Sequence, residues 1–143
     1  MILRINTYIH IIFNVIVPII LGVMIYIKYR NINIIMFEWF DLFCIDNIIF
    51  YIRNHSYLSN VPFWFKYNFP DGLWVYSFTN LMILVWKNNI NKSNFYFFYI
   101  ISLIASSLEV AQLYRIIPGT YDLADILFYF LFGFLPFLFL SKK

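Results

Sequence analysis

The chain has 143 residues, of which 63% are hydrophobic, 24% aromatic and only 12% charged, with a formal net charge of +3. This balance excludes an ordinary soluble domain and places the chain among integral membrane proteins. The ten basic residues lie singly or in pairs, without the basic stripe that nucleic-acid binding needs, and the single cysteine, Cys44, excludes an intrachain disulfide and reads as a small apolar filler.

The first apolar run covers residues 8–27, about 30 Å as a helix at ~1.5 Å per residue, and is expected to span a bilayer. Arg4 before it imitates the start of a signal peptide. The run is long for one, however, and ends in Lys28-Tyr29-Arg30 without a small-residue cleavage pattern, so an uncleaved anchor is expected. Within it, Pro18 is expected to kink the helix and Asn14 to find an interhelical partner, while His10 reads as a packed residue rather than a proton relay.

Residues 32–69 are rich in aromatics and isoleucine but carry Glu38, Asp41, Asp46, Arg53 and Lys66. An aspartate at the centre of a spanning helix is unfavourable by roughly 2.5–3.5 kcal/mol, so this stretch is expected to lie along the membrane surface. Glu38 and Asp41 would share its wet face, with Trp39, Phe40 and Phe43 dipping into the headgroup boundary. Trp64, Tyr67 and Phe69 read as an interfacial belt, and His55 as a solvated residue of the polar 53–60 turn. A fifth span over 34–52 is the alternative.

Three further spans are expected at 71–86, 95–114 and 122–140. Their linkers are short enough to force antiparallel neighbours, and Pro118-Gly119-Thr120 carries turn chemistry. The fold class is thus all-α: a single polytopic membrane domain over 1–143, with four transmembrane helices and an interfacial amphipathic segment. The N-terminus, the 87–94 loop and the C-terminus would then share one face holding Arg4, Lys87, Lys92, Lys142 and Lys143 without an acid, and the preferred orientation has the termini cytoplasmic.

All seven carboxylates fall toward the other face, and four of them, Asp71, Glu109, Asp122 and Asp125, sit at the ends of apolar segments. In the third span Ser102, Ala105, Ser106, Glu109 and Gln112 recur at three- and four-residue steps and form one small, polar stripe that should pack inward. Glu109 lies about 7–8 Å inside the helix end by the rise per residue, too deep to reach water unless a cavity meets it. Arg115 is expected to fold back toward Glu109 or Asp122. Asp71, Asp122 and Asp125 each open a helix, where acids also cap free amides and meet the positive end of the dipole. Antiparallel connectivity brings these three ends together, so Asp71, Glu109, Gln112, Arg115, Asp122 and Asp125 are the candidate binding residues.

The order Asp71, then Glu109-Val110-Ala111-Gln112, Arg115, Asp122-Leu123-Ala124-Asp125 and Gly133 resembles the VanZ-like family of small bacterial membrane proteins over roughly residues 70–135. The resemblance implies a multi-helix domain in the bacterial cytoplasmic (inner) membrane and a link to resistance against glycopeptides of the teicoplanin type. It also departs from the family: Gly72 and Val75 stand where a Lys and a His are frequent, and Tyr129 where an Asn is usual. No serine with a recognisable base, His-Glu metal pair or glycine-rich phosphate loop is present, so no catalytic residue, metal site or cofactor is assigned and an enzymatic role stays open. The expected function is an outward-facing acidic pocket that engages an envelope component. Expected partners are membrane lipids and a lipid-linked ligand or other membrane proteins. The alternative is a structural subunit whose polar groups cap and glue helices.

Overall fold

Long apolar runs in this chain form helices, and the breaks fall where proline, glycine or polar clusters interrupt them. In the computed structural model, which describes residues 2–32, 35–54, 61–87 and 89–138, every regular element among the described residues is helical. Helix α1 (Ile2–Ile11) passes through one π turn (Ile12–Ile16) into α2 (Val17–Tyr29). Three short helices follow, α3 (Ile35–Leu42), α4 (Asp46–Asn54) and α5 (Phe63–Tyr67), and then three long ones, α6 (Phe69–Val85), α7 (Phe95–Leu113) and α8 (Leu123–Leu138).

The π turn has a local cause. Pro18 has no N–H, and its ring would crowd the carbonyl four residues earlier. The wider turn immediately before it, in which the Val17 N–H donates to the Ile12 carbonyl, opens the backbone there. Asn14, inside this turn, accepts from the Tyr76 hydroxyl of α6 at 2.8 Å and lies 3.4 Å from His10 Nδ1, which ties the first helix to the bundle.

Helix α6 is the centre of the bundle and packs against α2, α7 and α8. Small residues set the closest approaches: a Cβ on Gly72 would lie 2.8 Å from the Phe132 ring of α8, and one on Gly133 would lie 2.7 Å from Ser102 Oγ of α7. Ser102 Oγ donates to the Tyr129 carbonyl at 3.0 Å, so the α7–α8 contact combines a side-chain hydrogen bond with close backbone packing. Phe98 and Ile83 are fully buried at the deep end of this contact, where Phe137 meets Phe98 edge-on.

The 32–69 region forms its own small core, in which Phe37 and Ile49 pack on Ile27 of α2, with Phe40, Ile45 and Ile52 around them. Arg53 Nη1 donates to the carbonyls of Ile27 at 2.6 Å and Arg30 at 3.0 Å, and Lys28 Nζ donates to the Arg53 carbonyl. Arg53 thus satisfies carbonyls that the end of α2 leaves without helical partners, and Lys28 does the same for the end of α4. Glu38, Asp46 and Phe43 are exposed. The side chains of Trp39 and Asp41, and the 55–60 turn with His55, lie outside the described residues.

Two helical stretches, Thr7–Tyr29 and Phe95–Leu113, are long and apolar enough to cross a membrane, and α8 is a shorter apolar helix. Only 17% of the apolar window in each long stretch is buried, unlike the mostly covered core helix of a soluble protein, which points to membrane association.

Candidate functional site

Four helix termini converge at one end of the bundle: the end of α2, the start of α6, the end of α7 and the start of α8. Asp71 follows Pro70 in the first turn of α6, and its Oδ2 accepts from Arg30 Nη2 at 3.1 Å. The same guanidinium nitrogen donates to the Tyr67 carbonyl at 3.0 Å, and the guanidinium carbon sits 4.8 Å from the Tyr26 ring centroid and 5.0 Å from that of Tyr67. Arg30 is thereby clamped against two aromatic rings and one carboxylate. The two ion-pair side chains are 22% and 26% exposed, covered enough that water screens them only in part.

At the start of α8, Asp122 Oδ1 accepts from the Ala124 N–H at 2.8 Å, an N-cap that satisfies one free amide of the first turn. Its Oδ2 accepts from Asn68 Nδ2 at 3.0 Å, and the same amide nitrogen donates to Asp125 Oδ1 at 2.8 Å. Asn68, 1% exposed between α5 and α6, therefore holds both aspartates with one donor group. Glu109, 6% exposed near the end of α7, accepts from the Asp122 N–H through Oε2 at 3.2 Å. Glu109, Asp122, Asn68 and Asp125 form one connected chain that joins three helices.

These groups border a cavity of about 500 Å³, within the range of small-molecule sites. Its wall includes Asp71, Glu109, Gln112, Asp122 and Asp125, joined by Arg30, Tyr26, Tyr67 and Tyr129. Gln112 is positioned by the 114–122 linker: a Cβ on Gly119 would lie 2.5 Å from Gln112 Cδ, and the Gly119 φ of +146° suits glycine alone. Four carboxylates thus face one guanidinium. In a partly water-excluded site such an excess of like charge is unfavourable unless a cation or protons balance it.

Arg115 is not part of this wall. It is exposed, with φ +55°, and its N–H donates to the Gln112 carbonyl at 2.9 Å while the Ile116 N–H donates to the Ala111 carbonyl at 2.9 Å. This is a Schellman ending of α7 with an arginine at the left-handed position, and that backbone turn carries the side chain away from Glu109. Arg30 supplies the cation instead. Neither Arg30 nor Asn68 stands out in the sequence, although Arg30 ends the first span on the acidic side and Asn68 lies one helical turn before Asp71, both spacings that place them at this end.

No group of three or more His, Cys, Asp or Glu among the described residues is arranged to hold a metal ion. No protein-family model, curated protein or solved structure matches this chain.

Proposed function

We propose that the chain is a VanZ-like integral membrane protein of four spanning helices, with its termini cytoplasmic and its acidic cavity facing outward to bind an amine-bearing group of an envelope component. The observation that supports this reading is the charge balance of the cavity: carboxylates from α6, α7 and the start of α8 share it with Arg30 as the one basic group on its wall among the described residues. Glu109 is the central acceptor, because it is the most deeply covered of the four and is bonded through Oε2 to the start of α8, leaving its second oxygen for a ligand. Arg30 holds Asp71 and, through its stacking on Tyr26 and Tyr67, keeps α2 against the mouth of the cavity. The link to glycopeptide resistance rests on the family resemblance and belongs to the same proposal.

The test is thermal stabilisation of the purified protein by methylammonium, with sodium at equal ionic strength as reference. A ligand that binds only the folded state raises stability by RT ln(1 + L/Kd), where L is its free concentration, so the effect grows with its concentration. Wild type is expected to be stabilised and Glu109→Gln to lose most of the effect. Equal stabilisation of both removes Glu109 from binding.

A second reading, a structural subunit, is favoured by one observation: Asn68 and the Asp122 cap account for several of the polar contacts as helix glue. Under it, Glu109→Gln and Asp125→Asn lower the amount of folded protein in the membrane in proportion to any loss of teicoplanin tolerance. Under the binding reading, tolerance falls while the amount of protein holds.

A further inference from the structure

A second cavity, of about 380 Å³, runs down from the acidic one along α6. Along α6 it is lined by the helical stripe Asp71, Trp74, Phe78 and Leu81, with Val75 and Ser77 beside it, and it faces Ile19 of α2 and Ile101 of α7. Asp71, Ala105 and Tyr129 border both cavities, so the two adjoin at these side chains. Below that junction the wall is apolar. Ser77 borders it too, but its hydroxyl donates to the Leu73 carbonyl at 2.8 Å and so has a partner within its own helix.

The cleft is long enough for a hydrocarbon chain. From Asp71 to Leu81 the helix rises about 15 Å, and Ile101 lies about 12 Å from Glu109 in the same direction. Trp74 and Leu81 are partly exposed along the rim, which leaves the cleft open sideways to the lipid expected around a membrane protein.

We propose that the two cavities form one amphiphile site, in which a single hydrocarbon chain lies between α2, α6 and α7 and its amine head enters the acidic cavity beside Asp71 and Glu109. This rests on the reading of the acidic cavity given above and adds the ligand's apolar part. Charge complementarity selects the head: an anionic head would meet four carboxylates, and a neutral one would leave their charge unbalanced. The dry wall selects the tail, since apolar surface is removed from lipid or water only by an apolar occupant of matching shape.

The experiment titrates protein in phosphatidylcholine nanodiscs with 6,7-dibromododecylamine, whose mid-chain bromines would lie near Trp74, and follows tryptophan quenching. Saturable quenching is expected in wild type, lost in Trp74→Phe and, independently, weakened in Ile101→Phe, which narrows the cleft from the opposite wall. Binding of the amine is expected to be at least tenfold tighter than that of 6,7-dibromododecanol, and methylammonium should displace it in wild type. Equal affinity for the alcohol overturns the head assignment, and saturable quenching unchanged in both variants overturns the cleft. If methylammonium stabilises the protein but no saturable quenching occurs, the acidic cavity stands and the chain assignment falls. If neither occurs, both fall.

Discussion

Replacing Arg30 with methionine keeps the aliphatic stem against Tyr26 and Tyr67 and removes the guanidinium. What is lost is the 3.1 Å ion pair with Asp71, the 3.0 Å bond to the Tyr67 carbonyl and two ring contacts at 4.8 and 5.0 Å. Breaking a fully buried pair by removing one partner costs about 3–5 kcal/mol, and an exposed pair is worth about 0–1 kcal/mol. With the two side chains 22% and 26% exposed, the expected loss is about 2–3 kcal/mol, most of it from leaving Asp71 uncompensated beside the other carboxylates. Unfolding in mixed micelles, run as a double-mutant cycle with Asp71→Asn, isolates the pair. A coupling of about 1–2 kcal/mol is expected, with Arg30→Met costing much less in the Asp71→Asn background. Additivity of the two changes would refute the assignment of Arg30 as the cation of the site. Arg30→Lys should restore little, because an ammonium can meet Asp71 but cannot lie flat between two rings.

Other substitutions separate packing from the site. Gly133→Ala places a methyl 2.7 Å from Ser102 Oγ and should destabilise the bundle by about 1–3 kcal/mol, and adding Ser102→Ala should recover part of this in the same unfolding assay. Tyr76→Phe removes the donor to Asn14 and should cost about 1–2 kcal/mol without changing methylammonium stabilisation. Arg115→Gly relieves a left-handed residue while adding freedom to the unfolded chain, so stability should change by less than about 1 kcal/mol. Cation binding should also be unchanged by it. A clear loss of binding in Arg115→Gly would return that residue to the site.

The convergence of Asp71, Glu109, Gln112, Asp122 and Asp125 on one cavity was legible because it depends on little beyond helix period and antiparallel connectivity. Short linkers fix which helix ends are neighbours, and the three- and four-residue spacing of α7 fixes which of its side chains face inward. Arg115 departs from the expected fold-back toward Glu109 or Asp122 for a local reason: hydrogen bonds from residues 115 and 116 place its backbone in a left-handed turn, and its side chain is exposed. Nothing in composition marks that turn, since the position is usually filled by glycine. Two more helix ends use the same device, at Cys44 and Lys87, again without a glycine to announce it. Arg30 and Asn68 were hidden for the opposite reason: their partners lie 41, 54 and 57 residues away, and a contact of that range is set by how α2, α6 and α8 pack rather than by any local pattern.

Gln112 borders a cavity whose carboxylates outnumber its bases, and the proposed site requires that cavity to be reachable from water. With the exposed Cys44 replaced by serine, Gln112→Cys places a thiol on that wall without removing a carboxylate. Its reaction rates with a cationic and an anionic methanethiosulfonate, each divided by the rate on a free thiol, report access and charge together. A confined acidic site concentrates counter-ions by about 10- to 1000-fold, so the cationic reagent is expected to be favoured by at least about tenfold, at low salt and from one side of the membrane only. Labelling without charge preference, or no labelling from either side, would contradict the account.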